Sequence, residues 1–95
     1  MNSRNKGAAG ERELAAKLRE YGYNCSRGQQ YSGANGDADV VGLLGVHIEC
    51  KRVEKLNLYD AMEPSVRDAK DRATPSVFPR KTNKEWLVTV RRDDF

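Results

Sequence analysis

Four side chains in this 95-residue sequence have the types and spacing to do chemistry together: Glu11, Asp39, Glu49 and Lys51. Glu49 and Lys51 stand two apart in an alternating segment, so in a strand they share one face, on the order of 7 Å apart. Asp39 precedes them on a second extended segment. With a turn near Leu44-Gly45, it is brought toward the end of the hairpin that carries Glu49 and Lys51. Glu11 adds a third carboxylate from a helix face that packs inward. Three carboxylates converging on one lysine repel one another and bury poorly unless a cation joins them. Mg²⁺, a hard ion that prefers oxygen ligands and keeps several waters, meets that need. Such a centre suits phosphodiester hydrolysis: the ion polarises a phosphoryl oxygen and acidifies a bound water. A neighbouring lysine can orient that water and offset charge building on phosphorus. Each residue also has a plainer reading. Glu-X-Lys alone is common on surface strands. Glu11 alone could complement a helix dipole. Asp37 competes with Asp39, although its position suits a loop residue before the strand.

These residues need particular elements to hold them. A helix is expected over about Ala8 to Tyr21, where Leu14, Leu18 and Tyr21 recur on one face and Gly22 follows as a stop. Glu11 lies three residues before Leu14 and seven before Leu18, hence on that same buried face. Tyr23 to Arg27 reads as a short strand, followed by a glycine-rich loop, Gly28 to Gly36. Strand residues resume at Ala38 to Leu44. Val46 to Arg52 is the clearest strand: Val46, Ile48 and Cys50 alternate with His47, Glu49 and Lys51. Asn57 to Ala73 is helix-compatible but interrupted by Pro64, so the helix kinks there or a new one starts with Pro64 in its first turn. Ser76 to Phe78 and Trp86 to Arg91 read as strands. Between them Pro79 is a poor fit for a strand extension. The expected order is α-β-β-β-α-β-β, an α/β fold with a mixed sheet flanked by helices.

Ninety-five residues bound the chain to one domain, 1–95, of limited stability, which a dimer would relieve. The net charge of +3, from 17 basic against 14 acidic residues, only hints at a polyanion partner. Basic clusters at Arg4/Lys6, Lys51/Arg52, Arg80/Lys81/Lys84 and Arg91/Arg92 would make a phosphate-binding surface if several share a face; otherwise they are a solvated mixed-charge surface. Cys25 and Cys50 lack metal-site spacing and are expected reduced and buried. No segment is apolar enough for a signal peptide or a bilayer span, so the expectation is a soluble, cytoplasmic protein without membrane contact.

The run Gly36-Asp37-Ala38-Asp39-Val40-Val41, followed by Ile48-Glu49-Cys50-Lys51, resembles the PD-(D/E)XK nuclease motif. The preceding Lys6-Gly7 and Glu11-Arg12-Glu13-Leu14 resemble the opening helix of archaeal and phage Holliday junction resolvases. The similarity in order and spacing runs from about Arg4 to Arg91; the VRR-NUC branch carries a similar core. The resemblance implies a restriction-endonuclease-like fold and an intracellular protein of bacterial, archaeal or phage origin. It implies a metal site of Asp39, Glu49 and the backbone carbonyl of Cys50 holding Mg²⁺, with Mn²⁺ able to substitute. Glu11 would complete that site directly or through water, and Lys51 would assist the attacking water. It further implies a symmetric homodimer acting on branched DNA, a four-way junction above all. The loop carrying Ser32 and Asn35 would approach the cut backbone; Arg4, Lys6, Arg52, Arg80, Lys81 and Lys84 are the expected DNA contacts. Two departures stand out. Ala38 replaces the motif's proline, and Glu63-Pro64-Ser65 stands where many relatives present a glutamine.

His47 shares the Glu49 face and reads as a hydrogen-bonded strand residue or a phosphate contact. Cys50 lacks the partners of a nucleophile. Trp86, alternating with Val88 and Val90, reads as core, and Tyr31 as a loop tyrosine able to stack on a base. Three other functions compete: a VRR-NUC-type or nicking nuclease without junction preference, a DNA-binding module with an impaired site, and an interaction domain that leaves the carboxylate-lysine cluster unexplained.

Overall fold

The computed structural model describes residues 3–28 and 38–95. Its elements are α1 (Ser3–Glu20), β1 (Ser26–Arg27), β2 (Val40–Val41), β3 (Val46–Arg52), α2 (Leu58–Ala69), β4 (Thr74–Arg80), β5 (Thr89–Val90) and a terminal 3-10 turn (Arg92–Asp94). The expected order holds, and the five strands form one mixed sheet in sequence order. The β3–β4 pair is parallel, with α2 as its crossover; the other neighbours are antiparallel.

Both helices follow from their sequences. On α1, Leu14, Ala15 and Leu18 are buried against Val40, Ile48, Cys25 and Phe78. Tyr21, expected on that stripe, is 71% exposed, because the helix ends at Glu20 and Tyr21 sits in the following turn. α1 approaches β3 closely at Gly10: a Cβ there would lie 2.6 Å from the Cβ of Arg52. Asn57 caps α2 by accepting the Asp60 N–H at 3.1 Å. The helix lays only small residues, Ala61, Ser65 and Ala69, against the sheet, so it sits close to it. Pro64 lies inside this single helix, so no second helix starts there. Buried hydrogen bonds lock α2 down: Ser65 Oγ donates to His47 O and accepts the Ser76 N–H at 2.9 Å. Ser76 Oγ also donates to His47 O.

The strands differ from expectation in extent. β3 has the expected bounds. β2 is shorter than Ala38 to Leu44, because Gly42, at φ +113, turns the chain against the backbone of Asn24, where a Cβ would lie 2.2 Å from the Asn24 oxygen. β1 is shorter because Cys25 N donates to Tyr23 O, a local turn in place of a ladder. β4 is longer and contains both Pro75 and Pro79. Leu87 N donates to Pro79 O, so the missing N–H of Pro79 faces the β5 side, as does that of Pro75 two pleats earlier. β5 pairs only with Ser76 and Val77, so neither proline deprives a partner. The Trp86 to Arg91 strand contracts to Thr89–Val90: Trp86 packs on the core, but Val88 is exposed. Cys25 is buried, Cys50 half-buried, and both are free thiols. Among the described residues, no helix is long and apolar enough to cross a membrane.

Candidate active site

The register of β2 on β3 does what the hairpin requires. Val40 pairs with Ile48, and Asp39 N donates to Ile48 O at 2.9 Å, which sets Asp39 beside Glu49. Asp39 ends the ladder with its own side chain: Cys50 N donates to Asp39 Oδ2 at 2.8 Å. One residue thus substitutes for the next rung and has its carboxylate pinned in place.

Glu49 is half-buried beside it, and its pKa is pushed up from 4.5 to about 7. Burial is the largest cause, followed by the Asp39 charge; Lys51 pulls the other way, and a hydrogen bond with Asp39 and the charge of Asp68 add to the rise. Burial and the Asp39 charge disfavour ionised Glu49, a strain that a bound cation would relieve. This donor set fits a hard divalent ion.

Glu11 is placed differently. It is buried at 8% exposure, as its place on the apolar stripe requires, but it accepts a hydrogen bond from Arg27 Nε at 3.0 Å. Burial raises its pKa against the pull of Arg27, and the charge of Asp39 reaches it. Among the described residues no three His, Cys, Asp or Glu side chains gather closely enough to hold one metal ion. Asp39 and Glu49 thus stand side by side, while Glu11, within reach of the Asp39 charge, is paired to Arg27. Lys51 is half-buried, and its charge bears on Glu49. Burial and the surrounding carboxylates push the Cys50 thiol to about 12, so Cys50 cannot supply a thiolate nucleophile.

The expected DNA contacts divide. Arg52 and Arg80 are both drawn to Glu13, Arg52 at 3.4 Å, and Arg52 also reaches Glu54 at 3.6 Å. They tie α1 to the ends of β3 and β4. Lys81 and Lys84 are exposed on the turn that follows β4. Ser32 and Asn35, with Tyr31 and Asp37, lie outside the described residues, as do the side chains of Arg4 and Lys6 on α1. His47 is buried at 8%, a strand residue under α2.

Sequence reasoning missed Arg27, which stands on a two-residue strand with no periodic signal. It also missed Asp68, whose charge reaches both Glu49 and His47 from the last turn of α2. Its neighbour Arg67 clasps it through two hydrogen bonds. The packing of β1 on α1 reveals the first, and the docking of α2 the second. Pro64 lies one turn before Asp68 on the same flank of the helix, which is where a glutamine could reach the site.

Residues 2–90 match the family model for archaeal Holliday junction resolvase (Hjc). No curated protein sequence matches the chain. Among solved structures, the fold is similar to the 1.6 Å structure of Archaeoglobus fulgidus Hjc, a Holliday junction resolvase from an archaeal hyperthermophile. The TM-score is 0.67 at 24% identity, over 90% of this chain and 72% of that one. With the family model spanning nearly its whole length, the chain belongs to the archaeal Holliday junction resolvase family, a family of DNA endonucleases.

Proposed function

We propose that residues 1–95 form a single nuclease domain that cuts four-way DNA junctions at a site built on Asp39, Glu49 and Lys51, with Mg²⁺ as its ion and Mn²⁺ as a substitute. The observation that carries this reading is the half-buried Asp39–Glu49 pair, with Asp39 pinned by the Cys50 N–H and a lysine charge beside Glu49.

Asp39 and Glu49 would hold the ion, together with the backbone carbonyl of Cys50. Bound there, it would polarise the phosphoryl oxygen and acidify a water. The chain's own residues do the rest. The Cys50 N–H fixes Asp39, which stands immediately before β2. Lys51 orients the attacking water and offsets charge on the phosphorane oxygens. Glu11, held by Arg27, acts through an intervening water rather than as a direct ligand. Lys81 and Lys84 contact phosphates away from the cut, joined by Arg4, Lys6, Ser32 and Asn35 from α1 and the glycine-rich loop. Arg52 and Arg80 serve first as struts.

A four-way junction is two-fold symmetric, so a homodimer would present one site to each of two strands. The surface that suits a second copy runs along the outer strand β5 and α2, where Val88 and Tyr59 are 62% and 89% exposed. Asp60 and Glu63 border it on the helix, and Arg91 and Arg92, ion-paired to Asp94 and Asp93, at the sheet edge.

The test is cleavage of a labelled four-way junction beside matched linear duplex, with Mg²⁺ or EDTA, by wild type and Lys51→Ala. Metal-dependent cutting of the junction, lost in the variant, is the expected result. Equal cutting of both substrates would remove the junction preference. Tight binding without cutting would mean a fold kept for binding alone.

A further inference from the structure

Beyond Lys51 the sheet opens into a groove of about 830 Å³ between residues 53–58 and 79–87. It sits at the carboxyl ends of the parallel strands, where Pro79 is the register partner of Lys51. Leu56, Leu58 and Leu87 line it, and Leu87 is 58% exposed. Three lysines, Lys55, Lys81 and Lys84, border it, with Glu85 as an opposing charge. An apolar surface bordered by ammonium groups matches the two halves of a nucleotide: a flat base and a phosphate.

The border is set before any ligand arrives. One oxygen of Glu54 accepts both the Thr82 N–H at 2.9 Å and the Thr82 hydroxyl at 2.7 Å. Lys84 N donates to Lys81 O at 3.2 Å, and Asn83 takes φ 62, so Lys81 and Lys84 stand at the two ends of one closed turn. Glu54 also faces Arg52 at 3.6 Å, so its charge is spent within the protein. A preset border saves the ordering cost of binding.

We propose that this groove seats an unstacked nucleotide at the branch point of the DNA and thereby sets the preference for junction over duplex; the proposal rests on the nuclease reading above. In a linear duplex every base is stacked, and withdrawing one costs free energy. At a branch point that cost is already partly met. A second copy of the chain is the poorer occupant, because two-fold pairing through the groove would set one lysine border against another.

The experiment uses a four-way junction with 2-aminopurine at the branch point and a duplex with 2-aminopurine mid-helix, under EDTA to prevent cutting. It compares wild type, Leu87→Ser and Lys84→Ala. Leu87 is largely exposed, so its replacement leaves the fold intact, and thermal unfolding of each variant checks this. The wild type is expected to raise branch-point fluorescence. Leu87→Ser should lower the junction-over-duplex affinity ratio roughly five- to tenfold with no change in salt dependence. Lys84→Ala should weaken binding to both DNAs and reduce the slope of log K against log salt by about 1. An unchanged ratio for Leu87→Ser overturns the groove assignment. So does a Leu87→Ser variant that sediments as half the wild-type mass, since the groove would then hold a second copy. Wild-type cleavage with Mg²⁺ is scored separately: a wild type that cuts, paired with a Leu87→Ser that keeps its ratio, refutes the groove alone. A wild type that cuts no DNA refutes the nuclease reading itself.

Discussion

Replacing Glu49 by glutamine should stabilise the metal-free protein, and by an amount that depends on pH. The folded protein raises the Glu49 pKa from 4.5 to about 7, so it binds this proton more tightly than the unfolded chain does. Below 4.5 the group is neutral in both states and has no charge to bury. As pH rises from 4.5 to 7, the unfolded chain ionises first and stability falls; above 7 the loss is complete. A shift from 4.5 to about 7 sets an upper bound of about 3 kcal/mol at 1.36 kcal/mol per unit, and solvent screening of the half-exposed carboxylate brings this to about 2 kcal/mol. A small part of this is already lost at pH 5, and the larger part appears by pH 8.5. Glutamine keeps the shape and has no charge. The stability gap between Glu49→Gln and wild type, measured by urea unfolding in EDTA, should therefore grow by about 1–2 kcal/mol from pH 5 to pH 8.5. In thermal unfolding, that is roughly 5–10 °C for a chain this size. Any pH-independent cost of the amide cancels in the comparison. Adding Mg²⁺ at pH 8.5 should raise the wild-type midpoint and leave the variant's unmoved, because binding to the folded state alone stabilises it. A gap that stays constant across this pH range would refute the claim that Glu49 is a carboxylate held at a folding cost beside Asp39.

The other expectations follow from single contacts. Lys51→Ala should lower the single-turnover cleavage rate on the order of 100-fold or more while junction affinity changes little, since its role falls in the transition state; an equal loss of affinity would make it a binding residue. Gly10→Ala drives a Cβ to within 2.6 Å of Arg52 and should cost about 1–3 kcal/mol in denaturant unfolding, with an unaltered midpoint counting against the close α1–β3 approach. Ser65→Ala removes bonds to His47 and Ser76 in a fully buried place and should also cost about 1–3 kcal/mol; a neutral result would mean that the α2 clamp is not needed. Pro64→Gln restores a helical N–H and places an amide one turn before Asp68, whose charge reaches Glu49. It should raise both the unfolding midpoint and the cleavage rate, and an unchanged rate would remove residue 64 from any supporting role.

Much of this protein could be read from its residues alone. Alternation is a local property, so β3 declared its bounds, and the shared face of Glu49 and Lys51 came with them. The three-and-four spacing of α1 likewise placed Glu11 on a buried face before any partner was known. The element order also followed, because turn residues and periodicity are written along the chain. Contacts between distant segments are not. Nothing in the sequence shows that Asp39 would spend its carboxylate on the Cys50 N–H, which requires the β2–β3 register. Nor does it show that Arg27 would take Glu11, or that Asp68 would reach Glu49 from a helix whose position depends on Ser65 and Ser76. The extent of the short strands was equally hidden, since β1, β2 and β5 end where turns or side chains replace ladder bonds. Periodicity states which way a side chain points along its own element. What it meets there depends on how the elements dock, and only the tertiary structure decided that Asp39 takes the Cys50 N–H and that Arg27 takes Glu11.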